Sequence, residues 1–340
     1  MRHINIPIFI PHLGCPNQCI FCNQRYISGN EKFDESSVRR EIDKVLSTVS
    51  GEDFCEIAFF GGSFTGIDRE LMVRLLDLAQ EYVDEGLVKG IRMSTRPDYI
   101  SEEIIDILKK YSVTYVELGI QSMNDNILTY LKRGHTVKDT EKAVALLKRA
   151  DILFVGQMMI GLPNATLEDE IYCAERICEL GASAVRIYPT LVFKMTELEE
   201  ITLRNEYNPL SCDEAIERSA RVLRVFINSD IPCIRIGLSD SENLHSNDTF
   251  VAGPNEPSIG EMVKSRLFYN IICDKVSDFS SESIVIECAK GKTSQIIGNK
   301  RKNLIEIKNK FDLKNIKIIE NSLLNQYDIK VYKKEEAKCV

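Results

Sequence analysis

The sequence predicts an α/β protein built on a parallel sheet, followed by a small α+β segment. Three observations carry that expectation. Short, nearly continuous apolar runs recur through residues 1–240, helix-period segments lie between them, and a Ser, Asn, Gly and Pro-rich stretch at 239–260 precedes a tail of different composition. Continuous apolar strands need both faces covered, which suits a doubly wound sheet or a full or partial (β/α) barrel. Periodicity leaves both open. In either, ligands gather at the carboxyl ends of the strands.

The elements follow in order. IPIFIP (6–11) reads as the first strand, and a capped helix runs from Ser36 or Ser37 through Val49. CEIAFF (55–60) leads to a helix from Asp68 to about Glu85, and GIRMST (90–95) to one from Ser101 to Tyr111. TYVELGI (114–120), FVGQMMIG (154–161), AVRIYP (184–189) and PCIRIG (232–237) complete seven strands, with helical stretches such as Asp213–Asn228 beside them. The division expected is 1–240 for the barrel, 241–260 for a linker or rim loop, and 261–340 for the small domain.

Composition limits the function classes. The chain has 340 residues, 44% of them hydrophobic, enough for a large buried core and a smaller second one. No secretory signal pattern and no apolar run of membrane-spanning length is present, so a cytoplasmic protein is expected. Eleven cysteines are too sparse for a secreted disulfide scaffold, and an odd number cannot all pair. The charge is uneven. Residues 290–317 hold eight Lys and one Arg against Glu306 and Asp312, a surplus of +7 in a chain of net −8, so the remainder carries −15.

Within HLGCPNQCIFCNQ (12–24), Cys15, Cys19 and Cys22 form a C-x3-C-x2-C triplet just beyond the first strand. Thiolates bind iron–sulfur clusters and zinc, and four ligands normally close either site. A triplet on a four-iron cluster leaves one iron open to a substrate or cofactor. The rivals are zinc with His12 as fourth ligand and a coincidental group of buried thiols. GGSFTG (61–66) lies just beyond the second strand, on the same rim.

The triplet, with Phe21 before its last cysteine, resembles the radical S-adenosylmethionine (SAM) superfamily. FFGGSFTG (59–66), STRPDYI (94–100), VELGIQSMND (116–125), LKRGHT (131–136), GQMMIGLP (156–163) and RIYPTLV (186–192) occur in the order of the radical domain of the Elongator catalytic subunit family, itself similar to oxygen-independent coproporphyrinogen oxidase. The resemblance covers roughly residues 4–240. It implies a (β/α) barrel of the radical SAM type, a 4Fe-4S cluster on Cys15, Cys19 and Cys22, and S-adenosyl-L-methionine cleaved reductively to a 5'-deoxyadenosyl radical. It implies contact with the methionyl amine through Gly61 and Gly62, with Ser63 where the superfamily often has Glu. Ser94, at a position often acidic in relatives, and Gln121 resemble ribose contacts. Arg133 matches a position that pairs with the cofactor carboxylate, and Gly161 and Tyr188 match the adenine pocket. Glu117 and His135 are further polar residues in matched segments. A reducing partner such as flavodoxin or ferredoxin is implied too. Elongator catalytic subunits also carry an acetyltransferase domain, for which no room is expected here, and the tail lacks the R-x-x-G-x-G/A pattern that seats acetyl-CoA.

SIVIECA (283–289), TSQIIGNKRKNLIEIKNKF (293–311), NIKIIE (315–320) and DIKVY (328–332) predict strand, short helix, tight loop, helix and strands. That order resembles a KH-like RNA-binding module, whose loop is G-x-x-G. Here the loop is Gly298-Asn299-Lys300-Arg301, with Lys302 following. The functional expectation is an RNA-modifying radical enzyme, tRNA foremost. The alternatives are a radical enzyme acting on a small molecule or tetrapyrrole with a structural tail, and a non-enzymatic RNA-binding or electron-carrying iron–sulfur protein. The catalytic side chain is unassigned.

Overall fold

The computed structural model describes residues 3–10, 13–15, 19–23, 33–50, 53–238, 248–277 and 282–333. The chain divides into two compact units, one formed by 1–210 with 231–255 and the other by 211–230 with 256–340.

The first unit is built on a seven-stranded parallel sheet in the order β1 (His3–Phe9), β2 (Phe54–Phe60), β3 (Gly90–Thr95), β4 (Val113–Gln121), β5 (Leu153–Ile160), β6 (Ala184–Pro189) and β8 (Cys233–Ile236). All seven expected strands are present, and neighbours in sequence are neighbours in space. A doubly wound sheet would reverse direction partway, so this monotonic order selects the partial (β/α) barrel. Helices α1 (Val38–Leu46), α4 (Asp125–Tyr130) and α7 (Glu197–Leu203) belong to the same unit, and other helices start where capping residues stand. Asp68 accepts from Leu71 N ahead of α2 (Arg69–Asp84), and Ser101 from Ile104 N ahead of α3 (Glu102–Leu108). Thr136 and Asp139 form a capping box on α5 (Val137–Arg149), as do Thr166 and Asp169 on α6 (Leu167–Glu179). Among the elements that the sequence expectation does not name are β7 (Val192–Phe193) and β9 (Phe250–Ala252), which pair antiparallel.

The helices cover one face of the sheet. A Cβ on Gly156 of β5 would lie 2.8 Å from Ile177 of α6, and Gly156 pairs in register with Leu118. The alternate positions, Glu117 and Gln157 among them, therefore face inward, away from the helices.

In the second unit, α8 (Cys212–Asn228) packs with α9 (Ile259–Val276). Then follow β10 (Ser283–Ala289), α10 (Thr293–Ile297), α11 (Lys302–Phe311), β11 (Asn315–Asn321) and β12 (Ile329–Lys333). β10 is central, parallel to β11 and antiparallel to β12. Phe268, Ile272, Ile284, Ile286, Ile296 and Ile307 form its core. This is the strand, helix, loop, helix, strand order expected of the tail. Among the described residues, no helix is long and apolar enough to cross a membrane.

Candidate active site at the strand ends

The cysteine loop and the glycine loop after β2 are fitted backbone to backbone. A Cβ on Gly14 would lie 2.3 Å from Ser63 O, and one on Gly62 would lie 2.4 Å from Leu13 O. Gly14 has φ +73° and Gly61 φ +104°, a backbone region that L side chains rarely adopt. Ser63 N donates to Leu13 O at 3.3 Å. The triplet's second half is held by Ile20, whose N–H donates to Leu131 O and whose carbonyl accepts from Leu198 N. Its side chain is buried with Ile127, Leu131 and Met159. The loop's position is thus set by glycines on one side and by an apolar anchor between two cysteines on the other.

Arg133 sits against this loop. Its Nη1 donates to Cys19 Sγ at 3.2 Å and its Nη2 to Gly119 O at 2.7 Å. Being 7% exposed, it is no solvated surface cation. Gln121 ends β4 at a bulge with φ +66°. Arg96 donates its backbone N–H to Ser63 Oγ and two guanidinium nitrogens to Asp98. Burial pushes the Cys15 thiol up, against a hydrogen bond with Ser63 and the charges of Arg96 and Arg133. Gly161, φ +74°, has both backbone groups engaged: its N–H donates to Glu170 and its carbonyl accepts from Tyr207. Its missing side chain lets Leu210 pack close, since a Cβ there would lie 2.7 Å from the Leu210 side chain.

These residues suit a polar, sulfur-ligated cofactor. Three thiols are the soft donors an iron–sulfur cluster takes. Gln121 Oε1, Arg133 Nε and Arg96 Nη1 are buried without hydrogen-bond partners among the described residues, an acceptor and two donors awaiting a ligand. As they stand, no three Cys, His, Asp or Glu side chains among the described residues are grouped to hold a metal ion. His12 and residues 16–18 lie outside the described residues.

Deeper in the partial barrel, a file of buried charges from Glu56 to Arg186 crosses the strands, with the exposed ring of His3 at its outer end. His3 Nε2 is 2.6 Å from Glu56, Arg92 lies 3.3 Å from Glu56 and 3.5 Å from Glu117, and Arg186 meets both oxygens of Glu117 at 2.7 and 2.8 Å. Gln157 donates to Glu117 at 2.8 Å and reaches Ser94 Oγ at 3.4 Å. Burial raises the Tyr188 phenol, and Arg186 opposes the shift. The sequence expectation named Ser94, Glu117 and Tyr188 but not Glu56, Arg92, Gln157 or Arg186. A signal was present: each of several apolar strands carries one charged residue, and register brings those residues together.

His135 is 3% exposed and its pKa falls to about 4, by burial first and then by the charge of Arg133. An unfolded chain would protonate this imidazole near pH 6.5, whereas the folded chain resists until about pH 4. The unfolded state therefore binds more protons in that window, and stability falls as pH drops through it, by about 2 kcal/mol at pH ~5. Above about pH 6.5 the group contributes no pH dependence. His135→Gln should flatten the difference in urea midpoint between about pH 7 and 5, and an unchanged difference would count against a neutral buried imidazole.

The sequence matches the radical SAM superfamily over residues 9–176 and the radical SAM C-terminal domain over 182–269. An uncharacterised protein of Methanocaldococcus jannaschii is 32% identical over 223 residues, 62% of this chain and 68% of that one. A tRNA uridine(34) acetyltransferase of Methanocaldococcus infernus is 33% identical over 199 residues, 53% of this chain, and Elongator complex protein 3 of Saccharomyces cerevisiae is 31% identical over 205, 54% of it. The match spans only 37% of each of those two longer proteins. Among solved structures, archaeal Elp3 of Methanocaldococcus infernus superposes with a TM-score of 0.60 at 26% identity, over 80% of this chain and 63% of that one. Methylornithine synthase shares the fold, with a TM-score of 0.51 at 17% identity, over 80% and 82%.

Proposed function

Because the chain belongs to the radical SAM superfamily, we propose that it carries out radical chemistry on RNA, with tRNA as the substrate class. Enzymes of this superfamily work with a 4Fe-4S cluster and S-adenosylmethionine, and these are the chain's cofactors. Together they supply a one-electron cleavage of a carbon–sulfur bond. The chain's own residues then bind and orient. Cys15, Cys19 and Cys22 hold the cluster. Arg133 fixes Cys19 and keeps Nε for the cofactor carboxylate. Gly61 and Gly62 admit a close backbone approach, with Ser63 behind them tied to Arg96. Gln121 and Ser94 take the ribose, while Gly161 and Tyr188 line the adenine pocket. A cytoplasmic enzyme reduced by a flavodoxin or ferredoxin is the setting this reading assumes. It also takes 1–240 as the radical domain, 241–260 as the linker and 261–340 as the docking domain.

The RNA assignment draws on the tRNA-acting relatives and, above all, on one observation in the second unit. Gly298 (φ +76°), Lys300 (φ 49°) and Arg301 (φ 65°) are all left-handed in the loop between α10 and α11. Non-glycine residues rarely adopt this conformation, and strain of this kind clusters at ligand-binding positions. Arg301 stands where the KH-like G-x-x-G pattern has its second glycine, holding a glycine-like backbone while presenting a cation. Gly298, Lys300, Arg301 and Lys302 are thus proposed phosphate contacts.

The test is tRNA affinity at several salt concentrations, for the intact chain and for a variant with Lys300, Arg301 and Lys302 all changed to Ala. The variant should bind more weakly, and each lost phosphate contact should flatten the log–log salt slope by roughly 0.7 to 0.9. Release of 5'-deoxyadenosine under chemical reductant should persist in the variant. Equal affinities and slopes would remove the docking role.

A further inference from the structure

On the inner face of the seven-stranded sheet, register sets two cations side by side. Arg186 of β6 pairs with Arg235 of the edge strand β8, so the two side chains leave neighbouring backbones toward one face. Tyr188, two residues beyond Arg186, feels the charge of both. Only one of the two is answered. Arg186 meets both oxygens of Glu117 and lies over the ring of Phe60, with Cζ 5.6 Å from its centroid. Arg235 has no ion pair and no side-chain hydrogen bond among the described residues.

The charges of the file account for this. Arg92, Arg186 and Arg235 stand against Glu56 and Glu117, three cations to two carboxylates. Both carboxylates are committed: Glu56 to His3, Arg92 and the hydroxyl of Thr114, and Glu117 to Arg92, Arg186 and Gln157. The unanswered charge falls on Arg235. That side chain can also be reached, because Arg92 and Arg186 are buried whereas Arg235, like Gln157 and Tyr188, is partly exposed. It stands two residues before Gly237, toward the carboxyl end of its strand, where substrates gather in such sheets. None of the residues proposed for the cofactor comes from β8. An accessible cation without a partner, beside an otherwise neutralised file, is a seat for an anionic group.

We propose that Arg235 anchors the substrate by a phosphate of the nucleotide on which the radical acts. Its guanidinium offers parallel N–H donors that match two phosphate oxygens. The second positive charge of Arg186 is spent on Glu117, so the phosphate is met by Arg235. The inference rests on the RNA reading and deepens it by naming a substrate contact inside the partial barrel, separate from the loop at residues 298–302.

The experiment measures tRNA affinity against salt concentration for the full chain, Arg235→Gln and Arg235→Lys. Arg235→Gln should flatten the log–log slope by roughly 0.7 to 0.9, one phosphate contact. It should therefore bind roughly five- to eightfold more weakly at about 0.1 M salt and match the intact chain near about 1 M. Arg235→Lys keeps the charge and should keep the slope. Iron content, S-adenosylmethionine affinity and urea midpoint should equal those of the intact chain in both variants, since Arg235 has no protein partner to strand. Unchanged affinity and slope in Arg235→Gln, with tRNA bound by the intact chain, would overturn the anchor and leave RNA docking standing. A slope flattened equally in Arg235→Lys would mean that charge is not what the site uses, and would overturn it too. Weaker S-adenosylmethionine binding with tRNA binding intact would assign Arg235 to the cofactor instead. No tRNA binding by the intact chain at low salt would overturn the docking reading and the anchor with it. Uridine 5'-monophosphate bound by such a chain, and lost in Arg235→Gln, would give the cation to a free nucleotide and overturn the proposal as made.

Discussion

Cys19→Ala should empty the chain of iron. Anaerobically reconstituted intact protein is expected to hold about four irons and to absorb in the visible range, as thiolate-ligated clusters do. Cys15→Ala and Cys22→Ala should lose the same signal. Cys19 carries a further consequence, because its Sγ accepts from Arg133 Nη1. Its removal leaves a buried guanidinium with one fewer partner, and a slightly lower denaturation midpoint should accompany the loss of iron. Cys173→Ala is the control: that thiol is 1% exposed, and burial pushes its pKa up to about 12, so it is an inert core residue. Iron content should survive the control. Stoichiometric zinc in the intact chain, or full iron in Cys19→Ala, would overturn the cluster assignment.

The strands were legible because a strand covered on both faces must be apolar at nearly every position, so the seven runs stood out without any alternation to decode. Rim loops were legible for a related reason: Gly14, Gly61 and Gly62 sit where two backbones meet too closely for a Cβ. What a one-dimensional pattern does not carry is register and partnership. Glu56, Arg92, Glu117 and Arg186 are each visible as a charge inside an apolar strand, yet nothing local says that they meet. Pairing of Ser94 with Glu117 and of Gln157 with Arg186 puts them on one inner face. The amphipathic character of α8 shows that it must bury a face, but not that α9 is what covers it. Left-handed Lys300 was the least readable feature, since a lysine gives no local reason to expect positive φ.

Glu117→Ala should be the most damaging single change to the fold. Glu117 is fully buried and is met by Arg186 at 2.7 and 2.8 Å, by Gln157 at 2.8 Å and by Arg92 at 3.5 Å. Arg92 is 3% exposed and Arg186 9%, so neither guanidinium can turn to bulk water when the carboxylate goes. Glu56 still faces Arg92, but Arg186 loses its carboxylate partner. Removing one member of a buried pair typically costs about 3–5 kcal/mol, because the other charge is stranded in a low dielectric. Against a total stability of roughly 5–15 kcal/mol this is enough to threaten folding at physiological temperature. The pair itself need not be strongly stabilising, and that gives the decisive comparison. Removing both charges, as Glu117→Ala with Arg186→Ala, should recover part of the loss, leaving a coupling energy of about 1 kcal/mol or more in a double-mutant cycle on urea midpoints. A Glu117→Ala chain within about 1 kcal/mol of the intact one, or strictly additive losses, would mean that water already reaches these charges and that the inner face is a solvated channel rather than a dry polar core.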